Sequence, residues 1–304
     1  MITRREYNGI LWIDLETPTR EEAIQLMNEF ELHPVLAEEI LTPSLRPKVD
    51  RYENCIYLIL HFPALRHSHQ GNGRQEVDFI ISKKFVITVR YESIDPIHKF
   101  SKVFEVNSVL DRDEIGTYAG FLFFHMIRKL YASLVHELGY VADQLKLSEE
   151  RIFAGEEALM VEQLSLIHRD LLNFHQSLRL HREVLESLEV AGGAFYGKSF
   201  EPYLRNISGE YHKVNEMLGD LRDTVGELRS TNDSLLTSKT NEVMRNLTIM
   251  TFTMLPAGLV AQIFTIPVKN IPFIGHQYDF WIMLGLMFAT ASSALLYFKH
   301  KKWI

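Results

Sequence analysis

Two long uncharged stretches near the carboxyl end constrain this chain more than any other feature. Residues 247–268 are 22 consecutive residues without a charged side chain, and residues 280–298 are another 19. A helix needs about 20 apolar residues to cross the roughly 30 Å hydrocarbon core of a bilayer, whereas core helices of soluble proteins are shorter and keep a polar stripe. The pattern predicts an integral membrane protein with transmembrane helices at 246–268 and 280–298.

Positive charge is distributed unequally around these two spans. The predicted external connector, 269–279, contains one lysine, Lys269. Five other basic residues lie before the first span or in the tail 299–304: Lys239, Arg245, Lys299, Lys301 and Lys302. Cytoplasmic loops carry an excess of Lys and Arg. We therefore expect both termini to be cytoplasmic, with the spans in the inner (plasma) membrane.

Composition excludes some partners for the large polar part of the chain. The formal net charge is −7 and the pI is about 6.0, which argues against a nucleic-acid partner because such proteins carry a basic face. Cys55 is the single cysteine, so an intramolecular disulfide cannot form and a cytoplasmic location is favoured. We expect Cys55 to be a packed, unreactive thiol.

Short apolar runs predict an α/β cytoplasmic domain over residues 1–112. Strands are predicted at 10–15, 55–62, 77–82 and 85–90, the last two joined tightly at Lys83 and Lys84. Thr17 and Pro18 predict a helix start, with Thr17 as N-cap and Pro18 at the first helical position. The domain contains no phosphate-binding loop, nucleophile elbow or dinucleotide fingerprint. No enzymatic activity is expected, and a membrane-anchored enzyme is the weakest hypothesis.

Neither histidines nor carboxylates form a strong metal-binding pattern. Two ligands on one helical face should be 3 or 4 residues apart, whereas His168, His175 and His181 are spaced by 7 and 6. These histidines, and His67 and His69 in a polar loop, are expected to be structural or solvated. Five acidic residues are weak candidates for hard-cation sites between subunits: Asp14, Glu38, Glu39, Asp50 and Glu53. The metal ligands stay unknown at this point.

Residues 113–245 are predicted to form a stalk of long helices. Residues 113–192 carry apolar residues at helical spacing and are predicted to form two helices, followed by a loop at 192–199. Apolar or neutral residues then recur in steps of 3 and 4: Leu204, Ile207, Tyr211, Val214, Leu218, Leu221, Val225, Leu228, Asn232 and Leu235. This alternation is typical of a coiled-coil seam. It predicts one helix from about residue 203 to about 264, roughly 90 Å long, that acts either as a rigid stalk or as a transmitter of cytosolic events.

Three glycines interrupt the stalk helix, at Gly209, Gly219 and Gly226. Each weakens the helix by about 1 kcal/mol relative to alanine. Close packing against the preceding helices is one reason for such residues to be present.

The order of these parts and two motifs resemble the CorA family of divalent-cation channels. The segment TNEVMRNLTIMTFTMLP is close to the family's TNEVMK-LTI---I--P run, and the terminal YFKHKKWI matches its YF-(K/R)-K-WL signature. In the body, WIDLETPTREE, ELHPVLAEEIL, RPKVDRYENCIYLIL and FVITVR are similar to the family's N-terminal pattern. The resemblance covers most of the chain. It implies a CorA-like funnel, a homopentamer in the lipid bilayer that carries divalent cations with Mg2+ as the default, and interfacial acidic side chains that bind Mg2+ and hold the pore shut.

The resemblance also implies which residues face the pore. Position by position, they are Asn241, Met244, Leu247, Thr251, Leu255 and Gly258, which steps of 3 and 4 place on one helical face. A ring of apolar side chains resists passage of a hydrated ion by dewetting, while amide or hydroxyl oxygens hold its water shell. Mg2+ dehydrates reluctantly, so recognition of the hydrated ion is expected.

One departure from the family pattern is serious. Counting from Pro256, the place of the family's Gly-Met-Asn filter motif is occupied by Thr265, Ile266 and Pro267. Gly258 also stands where many members have a hydroxyl residue. The Asn whose carbonyl would ring the outer mouth is therefore missing.

Two function hypotheses follow from this departure. In the first, the chain is a divalent-cation channel for Mg2+, with Zn2+, Co2+ and Ni2+ as alternatives, and Gln262, Thr265 or backbone oxygens near the outer mouth replace the missing Asn. In the second, it passes little Mg2+ and either carries another ion or serves as a membrane sensor or scaffold. A ring of five Lys269 side chains would repel divalent cations unless Asp279 or solvent offsets their charge.

Overall fold

A computed structural model gives the structure of five stretches of the chain: residues 2–7, 9–64, 74–91, 118–265 and 278–303. They contain six strands, β1 Ile2–Tyr7, β2 Ile10–Glu16, β3 Lys48–Arg51, β4 Ile56–Pro63, β5 Arg74–Ile81 and β6 Phe85–Arg90. They contain seven helices, α1 Arg20–Phe30, α2 Pro34–Glu39, α3 Ala119–Phe153, α4 Glu157–Leu178, α5 His181–Tyr196, α6 Glu201–Thr265 and α7 Asp279–His300. The chain divides into two compact units, Met1–Arg229 and Ser230–Ile304.

The six strands form one sheet in the order β1-β2-β6-β5-β4-β3. The pair β2–β6 is parallel, and all other neighbours are antiparallel. The prediction of β6 is confirmed to the residue, as is its tight connection to β5 through Lys83 and Lys84. The two edge strands were not predicted, because ITRREY and KVDR are rich in charge and only partly buried.

Helices cover both faces of the sheet, which confirms the α/β body. On one face, α1 and α2 complete an apolar cluster that includes Ile13, Leu26 and Tyr57. On the other, Phe79 of β5 meets Phe123 of α3 with ring centroids 5.3 Å apart. Because both faces are covered, the central strands are continuous apolar runs with little alternation.

The start of α1 differs from its prediction by two residues. Thr19, not Thr17, is the N-cap: its hydroxyl accepts from the Glu22 N–H at 3.3 Å, and the Glu22 carboxylate accepts from the Thr19 N–H at 2.9 Å. This capping box satisfies two helix-end donors at once, so it outcompetes a start at Pro18. Thr17 instead takes a φ of 47° and donates its N–H to the Arg90 carbonyl at 2.8 Å.

The prediction of two helices over 113–192 is wrong, since three helices lie between 119 and 196. Gly155, with a φ of 95°, separates α3 from α4. The predicted loop at 192–199 is also wrong at its start, because α5 continues to Tyr196. Glycine at position 192 leaves room for α6, because an added Cβ would lie 2.6 Å from Leu204 Cδ1.

The long helix α6 confirms the prediction of one helix from about residue 203 to about 264, since it runs for 65 residues with Pro256 inside it. Within the first unit its seam is buried. The suggestion that Gly209, Gly219 and Gly226 allow close packing against the preceding helices is wrong, because a Cβ added at any of them meets no described atom within 4 Å.

The second unit consists of the end of α6 and α7. Both helices are long and apolar enough to cross a membrane. Large apolar side chains along them are exposed to 62% at Met250, 71% at Met254 and 76% at Phe288. Apolar surface of this extent belongs against lipid or another chain. Helix α6 ends at Thr265, and α7 begins at Asp279. The predicted end of the first span, 266–268, lies outside the described residues.

Candidate pore-lining face

The six residues predicted to face a pore lie on one exposed face of α6. With 3.6 residues per turn, positions 241, 244, 247, 251, 255 and 258 share one side of the helix, and all six are exposed. Met244, Leu247 and Leu255 are each more than half exposed, at 57%, 56% and 57%. We call these six residues the open face of α6.

The opposite side of α6 is used for packing inside the second unit. Its side chains are half-buried at Ile249, Thr253, Pro256, Ala257 and Val260. These residues also recur in steps of 1, 3 and 4, about half a helical turn away from the open face. The open face is thus part of the larger surface of α6 that the described residues leave uncovered, a surface that also includes Met250, Phe252 and Met254.

Threonine hydroxyls along this segment donate to the helix itself. Thr251 Oγ1 lies 2.9 Å from the Leu247 carbonyl oxygen, and Thr253 Oγ1 lies 2.7 Å from the Ile249 carbonyl oxygen. Each hydroxyl has one hydrogen, so only its acceptor lone pairs remain for other partners. Water molecules around a cation point their hydrogens outward. The Thr251 oxygen on the open face is therefore suited to a hydrated cation.

The candidates at the outer mouth are only partly described. Gln262 and Thr265 are exposed, and Thr265 Oγ1 donates to the Gln262 carbonyl oxygen at 2.8 Å. Gly258 lies one turn before Gln262, and a Cβ added to it would meet no atom of the described part of the chain within 4 Å. The other candidates, 266, 267 and 269, lie outside the described residues.

Within one chain, the acidic candidates of the body do not form a single cluster, and their role between subunits stays a prediction. Asp14 accepts from Thr88 Oγ1 at 2.7 Å and forms an ion pair with Arg90 at 3.1 Å. Glu39 and Asp50 both contact the Lys48 ammonium, at 2.8 and 2.7 Å. Glu38 and Glu53 are exposed. In the described part of the chain, no three or more His, Cys, Asp or Glu side chains are placed to hold a metal ion.

His181 has a structural role. Its Nε2 lies 2.7 Å from the His61 carbonyl oxygen and its Nδ1 lies 2.8 Å from the Tyr131 hydroxyl. Nε2 therefore donates to the carbonyl, and the Tyr131 hydroxyl, which can donate, suits an unprotonated Nδ1 and a neutral ring. Burial lowers the pKa of His181 to about 4. His67 and His69 lie outside the described residues.

Cys55 is buried and free, as predicted. Burial raises the pKa of its thiol to about 11. A thiol that stays protonated at neutral pH is a poor nucleophile, so Cys55 is unreactive.

A buried acidic pair on β5 was missed from the sequence. Glu76 accepts the Ser44 N–H at 2.8 Å and contacts His61 Nε2 at 2.9 Å, while Asp78 accepts the Tyr57 hydroxyl at 2.8 Å. Burial and the neighbouring Glu76 raise the pKa of Asp78 well above its usual value. The available signal was an acidic residue inside the otherwise apolar run VDFIIS.

Comparisons with known proteins agree with this architecture. Residues 7–300 match the family model described as CorA-like Mg2+ transporter protein. The chain is 26% identical over 302 residues to the cobalt/magnesium transport protein CorA of Thermotoga maritima, covering 99% of this chain and 85% of that one. It is similar in fold to the complete structure of the CorA magnesium transporter from Methanocaldococcus jannaschii, with a TM-score of 0.82 at 20% identity over 99% and 93% of the two chains.

A second solved structure has the same fold over nearly the whole chain. The full-length CmaX protein superposes with a TM-score of 0.72 at 18% identity, covering 97% of this chain and 89% of that one. The family model spans the body, the stalk and both apolar helices. The chain is a member of the CorA-like Mg2+ transporter family.

Proposed function

We propose that this protein is a homopentameric channel for divalent cations, with Mg2+ as the default ion and Co2+, Ni2+ or Zn2+ as alternatives. The observation that carries the proposal is the open face of α6. It contains apolar side chains and acceptor oxygens in register, and nothing in the described chain packs on it. Five copies arranged with this face inward would surround an axis with rings of identical side chains.

The rings would act on a hydrated ion in two ways. Rings of Met244, Leu247 and Leu255 would exclude water and form the barrier of the closed state. Rings of Asn241 and Thr251 would accept hydrogen bonds from the ion's water shell. An ion that keeps its waters, as Mg2+ prefers to do, is therefore the substrate that suits this face.

Membrane placement follows from charge. With Lys299, Lys301 and Lys302 after the second span and Arg245 before the first, both termini would be cytoplasmic, in the inner membrane. The body would then sample cytosolic Mg2+, and α6, which continues from body to span, would carry that information to the pore. Binding of Mg2+ by acidic side chains between neighbouring copies would hold the pore shut.

Ion uptake tests the proposal directly. The purified chain is reconstituted into liposomes containing a Mg2+-sensitive dye, and its oligomeric state is measured in the same preparation. We expect Mg2+ entry above that of empty vesicles and a mass of five chains. Intact pentamers without Mg2+ entry would reject the Mg2+ channel, and a monomer would reject the shared axis.

A second candidate function rests on the sequence of the outer mouth. Thr265, Ile266 and Pro267 stand where the family has Gly-Met-Asn, and this favours a protein with little Mg2+ flux that passes another ion or acts as a membrane sensor or scaffold. Replacing residues 265–267 by Gly-Met-Asn separates the two candidates. If the unmodified chain is inactive and the replacement restores Mg2+ entry, the second candidate is correct.

A further inference from the structure

The carboxyl end of α7 is closed by a complete Schellman motif. The Trp303 N–H donates to the Phe298 carbonyl at 3.0 Å, and the Lys302 N–H donates to the Lys299 carbonyl at 3.1 Å. The Trp303 indole stacks on the Phe298 ring, with centroids 5.6 Å apart and planes 25° apart. Phe298 in turn meets Phe252 of α6 at 6.3 Å. Phe298 therefore joins the Trp303 ring to α6 through two ring contacts.

Lys302 occupies the left-handed position of this motif, with a φ of 56°. Glycine is the usual residue there, because a Cβ crowds the backbone in this conformation. The motif therefore fixes the backbone position from which the Lys302 ammonium group extends.

Three lysines concentrate positive charge at the capped end. Lys299, Lys301 and Lys302 are exposed, and none forms an ion pair with another described residue. Residues 280–303 contain no Asp or Glu, and the one acidic residue of α7, Asp279, lies at its opposite end, so α7 offers no acidic side chain near the three ammonium groups.

Apolar surface adjoins this charge. Leu296, in the last turns of α7, is 67% exposed, and Trp303 is 40% exposed. Tryptophan favours the headgroup level of a bilayer because its ring is apolar and its N–H is polar. A ligand that suits both features has a phosphate at one end and hydrocarbon at the other.

We propose that Lys299, Lys301, Lys302 and Trp303 bind the phosphate headgroup of an anionic phospholipid in the cytoplasmic leaflet. Clusters of basic residues immediately cytoplasmic of a span attract such lipids, and here the Schellman motif holds the cluster in a fixed arrangement against Trp303. This site rests on the membrane placement in the proposed function and does not depend on ion passage.

Lipid retention by the full-length protein tests the site. The purified chain in detergent is mixed with equal amounts of phosphatidylglycerol and phosphatidylcholine, and native mass spectrometry counts the lipids retained. We expect the wild type to prefer phosphatidylglycerol. Lys302→Gly should weaken this binding about fivefold, and adding Lys301→Gln should weaken it about fivefold again. Lys302→Gly keeps the cap, because glycine suits its conformation better than lysine does.

A matched control removes one exposed lysine elsewhere. Lys146→Gln on α3 should retain the wild-type preference. Equal retention of the two lipids by the wild type, or an equal loss in Lys146→Gln, would overturn the site. So would displacement of phosphatidylglycerol by an equal concentration of inorganic phosphate, because the occupant would then be a soluble anion. A wild type without a lipid preference but with intact Mg2+ entry would reject this site alone, whereas a wild type with the preference but without Mg2+ entry would reject only the channel.

Discussion

The two halves of α6 share a periodicity but use it differently. In the first half, apolar residues in steps of 3 and 4 are buried in the body, with Leu218 1% exposed and Val225 fully buried. In the second half, residues at the same steps stay open, with Leu247 56% and Leu255 57% exposed. A repeating apolar face on a helix therefore indicates a partner without saying whether that partner lies in the same chain.

The largest expected effect is a difference in unfolding free energy between substitutions in the two halves of α6. Leu218→Ala removes a buried side chain, and the free energy of unfolding should fall by about 3 kcal/mol because a cavity remains. The matched variant Leu255→Ala should change it by less than about 0.5 kcal/mol, since that side chain has little to lose within the chain. Thermal or urea unfolding of the purified full chain measures both. Equal losses would mean that the open face already has a partner in the monomer.

The body and the open face also differ in titratable groups. The body contains a buried histidine, whereas the open face contains none, so only the body should make stability depend on pH through a histidine. The pKa of His181 is lowered by burial from 6.5 to about 4. Between these values the unfolded chain binds a proton that the folded body does not, so stability falls as the pH falls from 6.5 towards 4. The full loss from this group is on the order of 3 kcal/mol.

Stability measured against pH in two variants isolates this group. His181→Gln should flatten the acid side of the stability profile, at some cost in stability at neutral pH from the altered bonds to Tyr131 and His61. His212→Gln, at an exposed site on α6, should leave the profile unchanged. The assignment fails if the His181→Gln profile runs parallel to that of the wild type.

Replacing a glycine by alanine should change the free energy of unfolding by a smaller amount, with opposite signs at Gly226 and Gly192. Gly226→Ala should stabilise the chain by about 1 kcal/mol, because alanine favours helix and an added Cβ is more than 4 Å from the described residues that surround it. Gly192→Ala should destabilise it by about 1 kcal/mol, because the Cβ would lie 2.6 Å from Leu204 Cδ1 and overpacking exceeds the gain in propensity. Unfolding of both variants measures the pair. If Gly226→Ala breaks up the oligomer instead, that side of the stalk is occupied by another copy.

The smallest effect concerns ion passage and compares two threonines on opposite sides of α6. Thr251→Val removes an acceptor oxygen from the open face with little change in shape, and Mg2+ entry should fall about fivefold, equivalent to about 1 kcal/mol. Thr253→Val removes the same kind of hydroxyl from the half-buried side and should leave entry unchanged. Dye-loaded liposomes measure both rates. Equal reductions would show that the open face does not meet the ion.

Local patterns predicted some elements of the fold well and others poorly. The bounds of β6 and the length of α6 followed from runs whose signal is strong over several residues. The edge strand β1 did not, because ITRREY has too little apolar character to stand out without its neighbour β2. The break at Gly155 was missed because a single glycine inside a helical pattern is compatible with both a break and a continuous helix.

The functional residues, like the elements of the fold, were predicted only in part. The open face followed from motif and spacing, and its residues do share one exposed side of α6, while their role as pore lining stays a prediction. The acids Glu76 and Asp78 were not identified, because their partners Ser44, His61 and Tyr57 come from other parts of the chain. Only pairing of the strands brings these groups within hydrogen-bonding distance.

The sequence by itself determined the two membrane spans, the long helix and the basic tail, because hydropathy, helical spacing and charge are properties of neighbouring residues. Tertiary structure alone decided which periodic face is buried and which stays open, where Gly192 must be small, and why a neutral His181 is stable in the core. These depend on contacts between residues distant in the chain, which no local pattern contains.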